Sequence, residues 1–186
     1  MVARKHGGPR VGESPKAALE ALASGAFRQP KHSLPLPTAS SRAYADFRRA
    51  AHTSEALRGF HPWDVDSTWL GESGELRLRV ASGKLHFLLG AHSSSFGPDK
   101  TPFRIRVSLQ ASEGGIWSDL GQITLSDPGL QEHVLALDDD QLSRTLNREV
   151  RIRLQSARTW SPKDVIPGAD DPRTLSVQIF RVAFEP

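Results

Sequence analysis

Four tryptophans are the residues whose type and position point most directly to binding chemistry. Each lies in or beside a predicted loop or strand start, whereas the predicted strand interiors use Leu, Ile, Val and Phe. The four are Trp63, Trp69, Trp117 and Trp160. A sugar ring packs its C–H face on an exposed indole while its hydroxyls bind polar groups nearby. The alternative is that these large rings close one end of a folded core.

The residues next to each tryptophan favour different degrees of exposure. Trp117 follows a Gly-Gly pair and precedes Ser118-Asp119, which favours an exposed indole. Trp63 and Trp160 stand between prolines and polar residues and could flank one opening. The predicted ligand-binding residues are Trp63, Trp117, Trp160 and Asp64.

The acidic residues carry no catalytic signature. The sequence lacks a phosphate-binding glycine loop, a dinucleotide fingerprint, a nucleophile elbow and a His-Glu-x-x-His helix. Glycoside cleavage needs two carboxylates that face each other across a groove. The candidate carboxylates are Asp64, Asp66, Asp170 and Asp171. Because Asp170-Asp171-Pro172 is more simply explained as a turn, we predict that the chain is not an enzyme.

Metal binding finds little support in the residue types. Cysteine is absent, which excludes disulfides, Cys-ligated zinc and iron–sulfur clusters. The spacing of the seven histidines does not require a shared metal. Asp138-Asp139-Asp140 offers oxygen ligands to a structural calcium ion, although it lacks the alternating spacing of a calcium loop. The alternative is that these acids cap a helix beginning at Gln141, so no cofactor is predicted.

The elements that must position these residues follow a two-residue rhythm from Gly59 onwards. In Phe103–Gln110 four apolar residues alternate with four polar ones, as in a strand with one buried face. The other predicted strands are Glu75–Val80, Lys84–Leu89, Gln122–Leu125, His133–Leu137, Glu149–Gln155 and Leu175–Phe184. The apolar phase slips within the last strand, which predicts either a bulge near Ile179-Phe180 or a strand covered on both faces. Short strands separated by turn signals predict an all-β, antiparallel β-sandwich of jelly-roll type over residues 59–186.

Residues 1–58 differ from this body in both charge and pattern. They contain ten Lys and Arg against four Asp and Glu, whereas the remainder contains fourteen against seventeen. Helical spacing of apolar residues predicts short helices at Pro15–Ala26 and Ser41–His52, joined by a proline-rich connector. We therefore predict a basic, partly helical N-terminal arm over residues 1–58, part of it disordered. A solvated basic face explains its charge better than nucleic-acid binding, because no nucleic-acid motif accompanies it.

Two further features bear on location. No stretch approaches the ~18 apolar residues that a transmembrane helix needs. The polar, glycine-rich residues 1–12 do not have the pattern of an export signal. The expected location is therefore the cytoplasm.

Two segments at opposite ends of the predicted sandwich carry a family resemblance. The first is Gly59-Phe60-His61-Pro62 with Asp64 and Trp69, and the second runs from Trp160-Ser161-Pro162 through Asp170-Asp171-Pro172-Arg173 to Phe184. Together they resemble a galactose-binding-like β-sandwich accessory domain that accompanies bacterial glycosyltransferases and polysaccharide-assembly proteins. Thr68-Trp69 stands where that family has Arg-Trp, and Ser176 stands where it has Gly. The resemblance implies a carbohydrate-associated or glycosyltransferase-docking module, with no catalytic residues to carry over.

Three residues are predicted to stabilise the fold instead of binding a ligand. Arg173 is expected to pair with Asp64 or Asp171 and to fasten the first strand to the last. The predicted structural residues are Trp69, Asp171 and Arg173.

These observations predict a non-catalytic, carbohydrate-associated module of bacterial polysaccharide assembly that binds a glycan or docks a glycosyltransferase. The alternative is a scaffold subunit that forms homo- or hetero-oligomers through its sheet face or N-terminal arm. The outward arginine pairs Arg104/Arg106 and Arg151/Arg153 would suit an acidic counterpart.

Overall fold

The computed structural model describes residues 42–48, 56–64, 66–97 and 99–186, with no side-chain description at positions 56, 57 and 62–64. The strands within these ranges are β1 Tyr44–Asp46, β2 Ala56–Asp64, β3 Ser67–Arg79, β4 Lys84–Ala91, β5 Phe103–Gln110, β6 Trp117–Leu125, β7 Gly129–Ala136, β8 Glu149–Ser156 and β9 Gln178–Phe184. The helices are a 3₁₀ helix at Ser93–Phe96, α1 at Asp139–Thr145 and α2 at Pro162–Val165.

All pairings between these strands are antiparallel, and they form a sheet that nearly closes on itself. The strand order is β6-β5-β8-β3-β9-β4-β7, with β1 paired to β9 and β2 paired to β3. The long strand β3 pairs with β9 through Thr68 and Trp69, and then with β8 through Ser73–Arg79. It therefore joins a layer of β2, β3, β8, β5 and β6 to a layer of β9, β4, β7 and β1. The prediction of an all-β, antiparallel sandwich is confirmed.

Alternation of side chains fills the space between the two layers. On β5, Phe103, Ile105 and Val107 are fully buried, while Arg104 and Arg106 between them are exposed. Strand β8 repeats this arrangement, and the inward residues of β3, β4 and β9 complete one hydrophobic cluster. Each fully buried side chain of this kind contributes about 1.5–3 kcal/mol relative to an exposed one. The core therefore fixes which residues of these strands point outward.

A bulge in β9 confirms the predicted break in its apolar phase. Leu88 pairs with Arg181 and Leu89 pairs with Ile179, so Phe180 is the additional residue. Ile179 belongs to the hydrophobic cluster. Phe180 lies against Gly90, where an added Cβ would come within 2.9 Å of the Phe180 ring. The bulge thus keeps the core face in register, and Gly90 leaves room for the displaced ring.

The described part of the predicted arm does not have the expected conformation. A helix over Ser41–His52 is wrong where it can be compared, because Tyr44–Asp46 form β1 and pair with Arg181–Ala183 of β9. Burial of Ala45 and Phe47 in the core stabilises this pairing. At the end of the strand, Arg48 donates three hydrogen bonds to the Asp46 carboxylate. The predicted helix at Pro15–Ala26 lies outside the described residues.

Candidate functional site

The outward side chains of β2, β3, β5, β6 and β8 form one surface, which we call the arginine face. Seven arginines lie on it: Arg58, Arg77, Arg79, Arg104, Arg106, Arg151 and Arg153. The strand register places Trp117 beside Gln110, and Gln110 beside Arg151. An indole, an amide and guanidinium groups therefore lie side by side on a sheet that the buried core holds in place.

Trp117 is partly exposed at the start of β6. The guanidinium carbon of Arg153 lies 3.8 Å from the centre of its ring, which is cation–π geometry. Its indole N–H finds no acceptor among the described residues, whereas buried tryptophans usually have one. The residue therefore combines an apolar surface with a donor available to a ligand.

A row of charged groups continues from Trp117 across the layer. Arg153 donates to Glu75 Oε1 from Nε at 3.0 Å and from Nη2 at 2.8 Å, and Arg58 Nη2 donates to the same oxygen at 2.6 Å. Burial raises the pKa of Glu75, but the hydrogen bonds from Arg58 and Arg153 outweigh it and hold that pKa below its ordinary value. Glu75 is only 3% exposed, so this carboxylate fixes the two arginines in place.

Gln110 supplies an unsatisfied acceptor next to Trp117. Its Nε2 donates to the carbonyl of Gly115 at 2.6 Å. Its Oε1 is buried and has no hydrogen-bond partner, and the residue as a whole is only 6% exposed. Gln110 lines a cavity of about 60 Å³ together with Arg77, Glu113, Glu149 and Arg151. An acceptor that is buried without a partner carries a free-energy cost, which a donor group from a ligand would offset.

Trp160 lies elsewhere and is held by several contacts. Its Nε1 donates to the carbonyl of Ser176 at 2.9 Å. Trp69 meets its ring edge-on with 5.6 Å between centroids, and His92 stacks on it at 6.1 Å. Trp69 is 5% exposed, whereas Trp160 is partly buried and packs against the hydrophobic cluster. The structure therefore brings Trp69 and Trp160 together, and it does not bring Trp160 to Trp117.

The other predicted site residues lie in two places, with Asp171 and Arg173 in a turn and Trp63 and Asp64 at the end of β2. Asp171 accepts hydrogen bonds from Arg173 Nε at 2.9 Å and from Arg173 Nη2 at 2.6 Å. These bonds lower the pKa of the Asp171 carboxyl. The pair links residues two positions apart, and Arg173 is partly exposed. Trp63 and Asp64 belong to β2, but their side chains lie outside the described residues, so their roles stay predictions.

The aspartate triplet acts at a helix start. Asp138 accepts the N–H of Gln141 at 2.7 Å, and the Gln141 side chain accepts the N–H of Asp138 at 3.0 Å, which forms a capping box on α1. The helix begins at Asp139, two residues before the predicted start. Within the described residues there is no group of three acidic, histidine or cysteine side chains that could hold a metal ion.

Sequence reasoning named Trp117 but missed the residues around it. Gln110 and Glu75 occupy outward positions of strands that it identified, and Arg153 was considered only as an outward charge. The alternation alone could have placed all three on a solvent-facing surface. Their proximity depends on which strands pair and in what register, and the sequence pattern does not contain that information.

Comparisons with known proteins give distant structural similarities. No family model matches the sequence, and no curated protein matches it. Among solved structures, a mutant of Xylanase10C from Cellvibrio japonicus in complex with xylopentaose is similar with 11% identity and a TM-score of 0.41. That match covers 66% of this chain and 23% of the xylanase. A carbohydrate-binding module specific for non-crystalline cellulose, CBM28, is similar with 13% identity and a TM-score of 0.37, covering 68% of this chain and 79% of the module.

None of the helices in the described ranges is both long enough and apolar enough to cross a membrane.

Proposed function

We propose that the chain is a non-catalytic module that binds a glycan on its arginine face, with Trp117 as the ring on which a sugar packs. The observation that carries this proposal is the combination at one point of a partly exposed indole and a buried acceptor without a partner. Protein sites for sugars need both an apolar surface and a few fixed polar groups.

Fixed polar groups extend beyond this point. Arg153 contacts Trp117, and Glu75 holds Arg153 and Arg58 in a defined arrangement. Neighbouring strands lie about 4.8 Å apart, so a row from β6 to β2 spans roughly 19 Å. A row of this length suits a stretch of polymer better than a single small molecule.

We infer that the module is non-catalytic because the described carboxylates that lie among its arginines are ion-pair partners. Glu75 pairs with Arg58 and Arg153, and Glu149 pairs with Arg77 at 3.1 Å. Glycoside cleavage would require two carboxyl groups at a sugar, one of them with a raised pKa. The pKa of Glu75 is shifted in the opposite direction.

Isothermal titration calorimetry with a panel of neutral and acidic oligosaccharides tests the proposal. We expect Trp117→Ala to weaken binding by at least about tenfold, which corresponds to ~1.4 kcal/mol. Leu130→Ala is the matched control, because Leu130 is 61% exposed on the other layer. Equal affinities for the two variants, or no binding of any oligosaccharide by the unmodified chain, would overturn the proposal.

We further propose bacterial polysaccharide assembly as the setting, with a glycosyltransferase as the protein partner. Support comes from the sequence resemblance of the segments beginning at Gly59 and Trp160. We propose that the two ligands use different surfaces, so a purified glycosyltransferase should co-elute with the chain whether or not oligosaccharide is present. Competition between them would contradict this arrangement. Assembly into oligomers, the alternative prediction, stays a prediction that light scattering can check.

A further inference from the structure

We propose that the glycan bound by the arginine face is anionic and carries carboxylate or sulfate groups along its chain. This inference rests on the proposed glycan-binding function and adds the chemical class of the ligand. It is carried by the type, number and partners of the cations on this face.

Every cation on the arginine face is an arginine. Strands β2, β3, β5, β6 and β8 contain no lysine. A guanidinium group is planar and presents paired N–H donors that match the oxygens of a carboxylate or a sulfate. Lysine and arginine would serve equally well if the positive charge only kept the surface soluble. The exclusive use of arginine therefore favours recognition of oxyanions.

The arginines outnumber the carboxylates that pair with them. Five arginines share four carboxylates, and the ion pairs are Arg58 and Arg153 with Glu75, Arg77 with Glu149, Arg106 with Asp119, and Arg151 with Glu113. The remaining two, Arg79 and Arg104, have no carboxylate partner among the described residues. With the exposed Glu72 of β3 also counted, seven arginines stand against five carboxylates, so the described part of the face carries excess positive charge.

This charge is concentrated, because the segment that contains the face is acidic as a whole. Residues 59–186 contain fourteen Lys and Arg against seventeen Asp and Glu, and six of the seven arginines lie within that range. A positive surface on an otherwise acidic segment confines the attraction for anionic ligands to that surface. The distribution fits a localised site better than a general affinity for polyanions.

Several of the ion pairs are weak enough for a ligand to replace. Arg106 and Asp119 are 3.5 Å apart, with side chains that are 67% and 56% exposed. Exposed pairs of this kind contribute little to stability. An oxyanion could therefore displace the carboxylate without a large loss, whereas Glu75 would continue to hold Arg153 beneath Trp117.

A glycan fits this face better than a nucleic acid. Proteins that bind single-stranded nucleic acids stack successive bases on several aromatic rings. Among the described outward side chains of the arginine face, Trp117 is the one indole, and the imidazole of His61 on β2 is committed to the carbonyl of Thr174. The buried acceptor on Gln110 calls for a hydroxyl or N–H donor, and hydroxyls are the groups in which glycans are richest.

Two ligand pairs that differ in charge test the inference. Oligogalacturonate is compared with its methyl ester of the same length, and dextran sulfate with dextran, by calorimetry at low salt and at about 1 M salt. We expect at least one anionic member to bind at least about tenfold more tightly than its neutral counterpart at low salt. The difference should shrink at about 1 M salt, where the screening length is ~3 Å.

Each result bears on a different claim. Equal binding of the neutral members would overturn the anionic inference and leave the glycan-binding proposal standing. Failure of all oligosaccharides, neutral and acidic, would overturn both. A DNA oligonucleotide of the same charge that bound as tightly as the anionic glycans would overturn the assignment to glycans.

A double variant locates the effect. Arg79→Gln with Arg104→Gln removes two charges without leaving a partner carboxylate unpaired, and we expect anionic binding to weaken by about tenfold. Lys84→Gln with Lys163→Gln removes two charges from β4, which belongs to the other layer, and from α2, and should leave binding unchanged. Equal losses in the two double variants would overturn the inference, and melting curves establish that each remains folded.

Discussion

Trp117 and Trp160 are both partly exposed and both follow a loop, yet the contacts around them differ. Trp160 donates its N–H to Ser176, stacks with His92 and meets Trp69. Its backbone also exchanges two hydrogen bonds with Leu175, at 2.7 and 2.8 Å. Trp117 has one ring contact, with Arg153, and an N–H without an acceptor among the described residues.

This difference shows that fractional exposure does not by itself separate a binding ring from a structural one. The partner of the indole N–H is more informative, because a ring that has used its donor inside the protein has no polar group left for a ligand. We therefore interpret Trp160 as a structural residue. The ligand-binding role predicted for it stays a prediction.

The largest expected effect is on stability and contrasts the two rings directly. Trp160→Ala should lower the free energy of unfolding by about 3 kcal/mol, because it leaves a space beside Trp69 and removes a hydrogen bond. Trp117→Ala should lower it by less than about 1 kcal/mol. Urea denaturation followed by circular dichroism measures both. Equal losses would mean that the two tryptophans do not differ in role.

The ion pairs beside Trp117 give the next effect. Glu75→Gln should cost about 2 kcal/mol, because it removes a charged acceptor from Arg58 and Arg153 at a buried position. Glu149→Gln is the matched control, since its pair with Arg77 is exposed on both sides, and it should change stability by less than about 0.5 kcal/mol. Denaturation at neutral pH compares the two, and a cost as large for Glu149→Gln would contradict the assignment of Glu75 as the anchor.

Acid pH should weaken the same arrangement. The pKa of Glu75 is lower in the folded chain than its ordinary value, so its contribution is complete above the unfolded pKa of about 4.3. The contribution is lost as the pH falls through the lowered folded-state pKa. Unfolding free energies measured across this acid range should fall less steeply for Glu75→Gln than for the unmodified chain. Identical slopes would refute the coupling.

The smallest expected effect concerns the turn that follows Trp160. Asp171→Asn keeps an oxygen that can accept the N–H of Arg173 but removes the charge that pairs with its guanidinium group. Because this pair is partly exposed, the melting temperature of the Asp171→Asn variant should fall less than that of the Glu75→Gln variant. A larger fall in melting temperature for Asp171→Asn would mean that the turn contributes more to stability than its contacts indicate.

The fold was predictable where one face of a strand is buried. Phe103–Gln110 has the predicted bounds of β5, and the bulge at Phe180 follows from the phase of its neighbours. Tyr44–Asp46 could not be predicted, because three residues carry no measurable period and their pairing with β9 joins distant parts of the chain. Local helical spacing was therefore misleading there.

The candidate site was predictable only in part. Trp117 and the outward arginines could be identified from residue type and alternation. The orphaned oxygen of Gln110 could not, because it depends on the position of the Gly115 carbonyl and on the packing of neighbouring strands. Sequence patterns specify the face on which a side chain lies, but distances across a sheet come from tertiary pairing.

Strand β3 has a consequence for engineering. Because one continuous segment pairs with β9 at its beginning and with β8 further along, neither layer can be separated from the other by cutting at a loop. Expressing the chain as two fragments divided within β3 would leave both with unpaired edges, which are prone to aggregate. New termini for a split reporter or a circular permutant belong in the exposed β6–β7 turn, away from this shared strand and from the residues around Trp117.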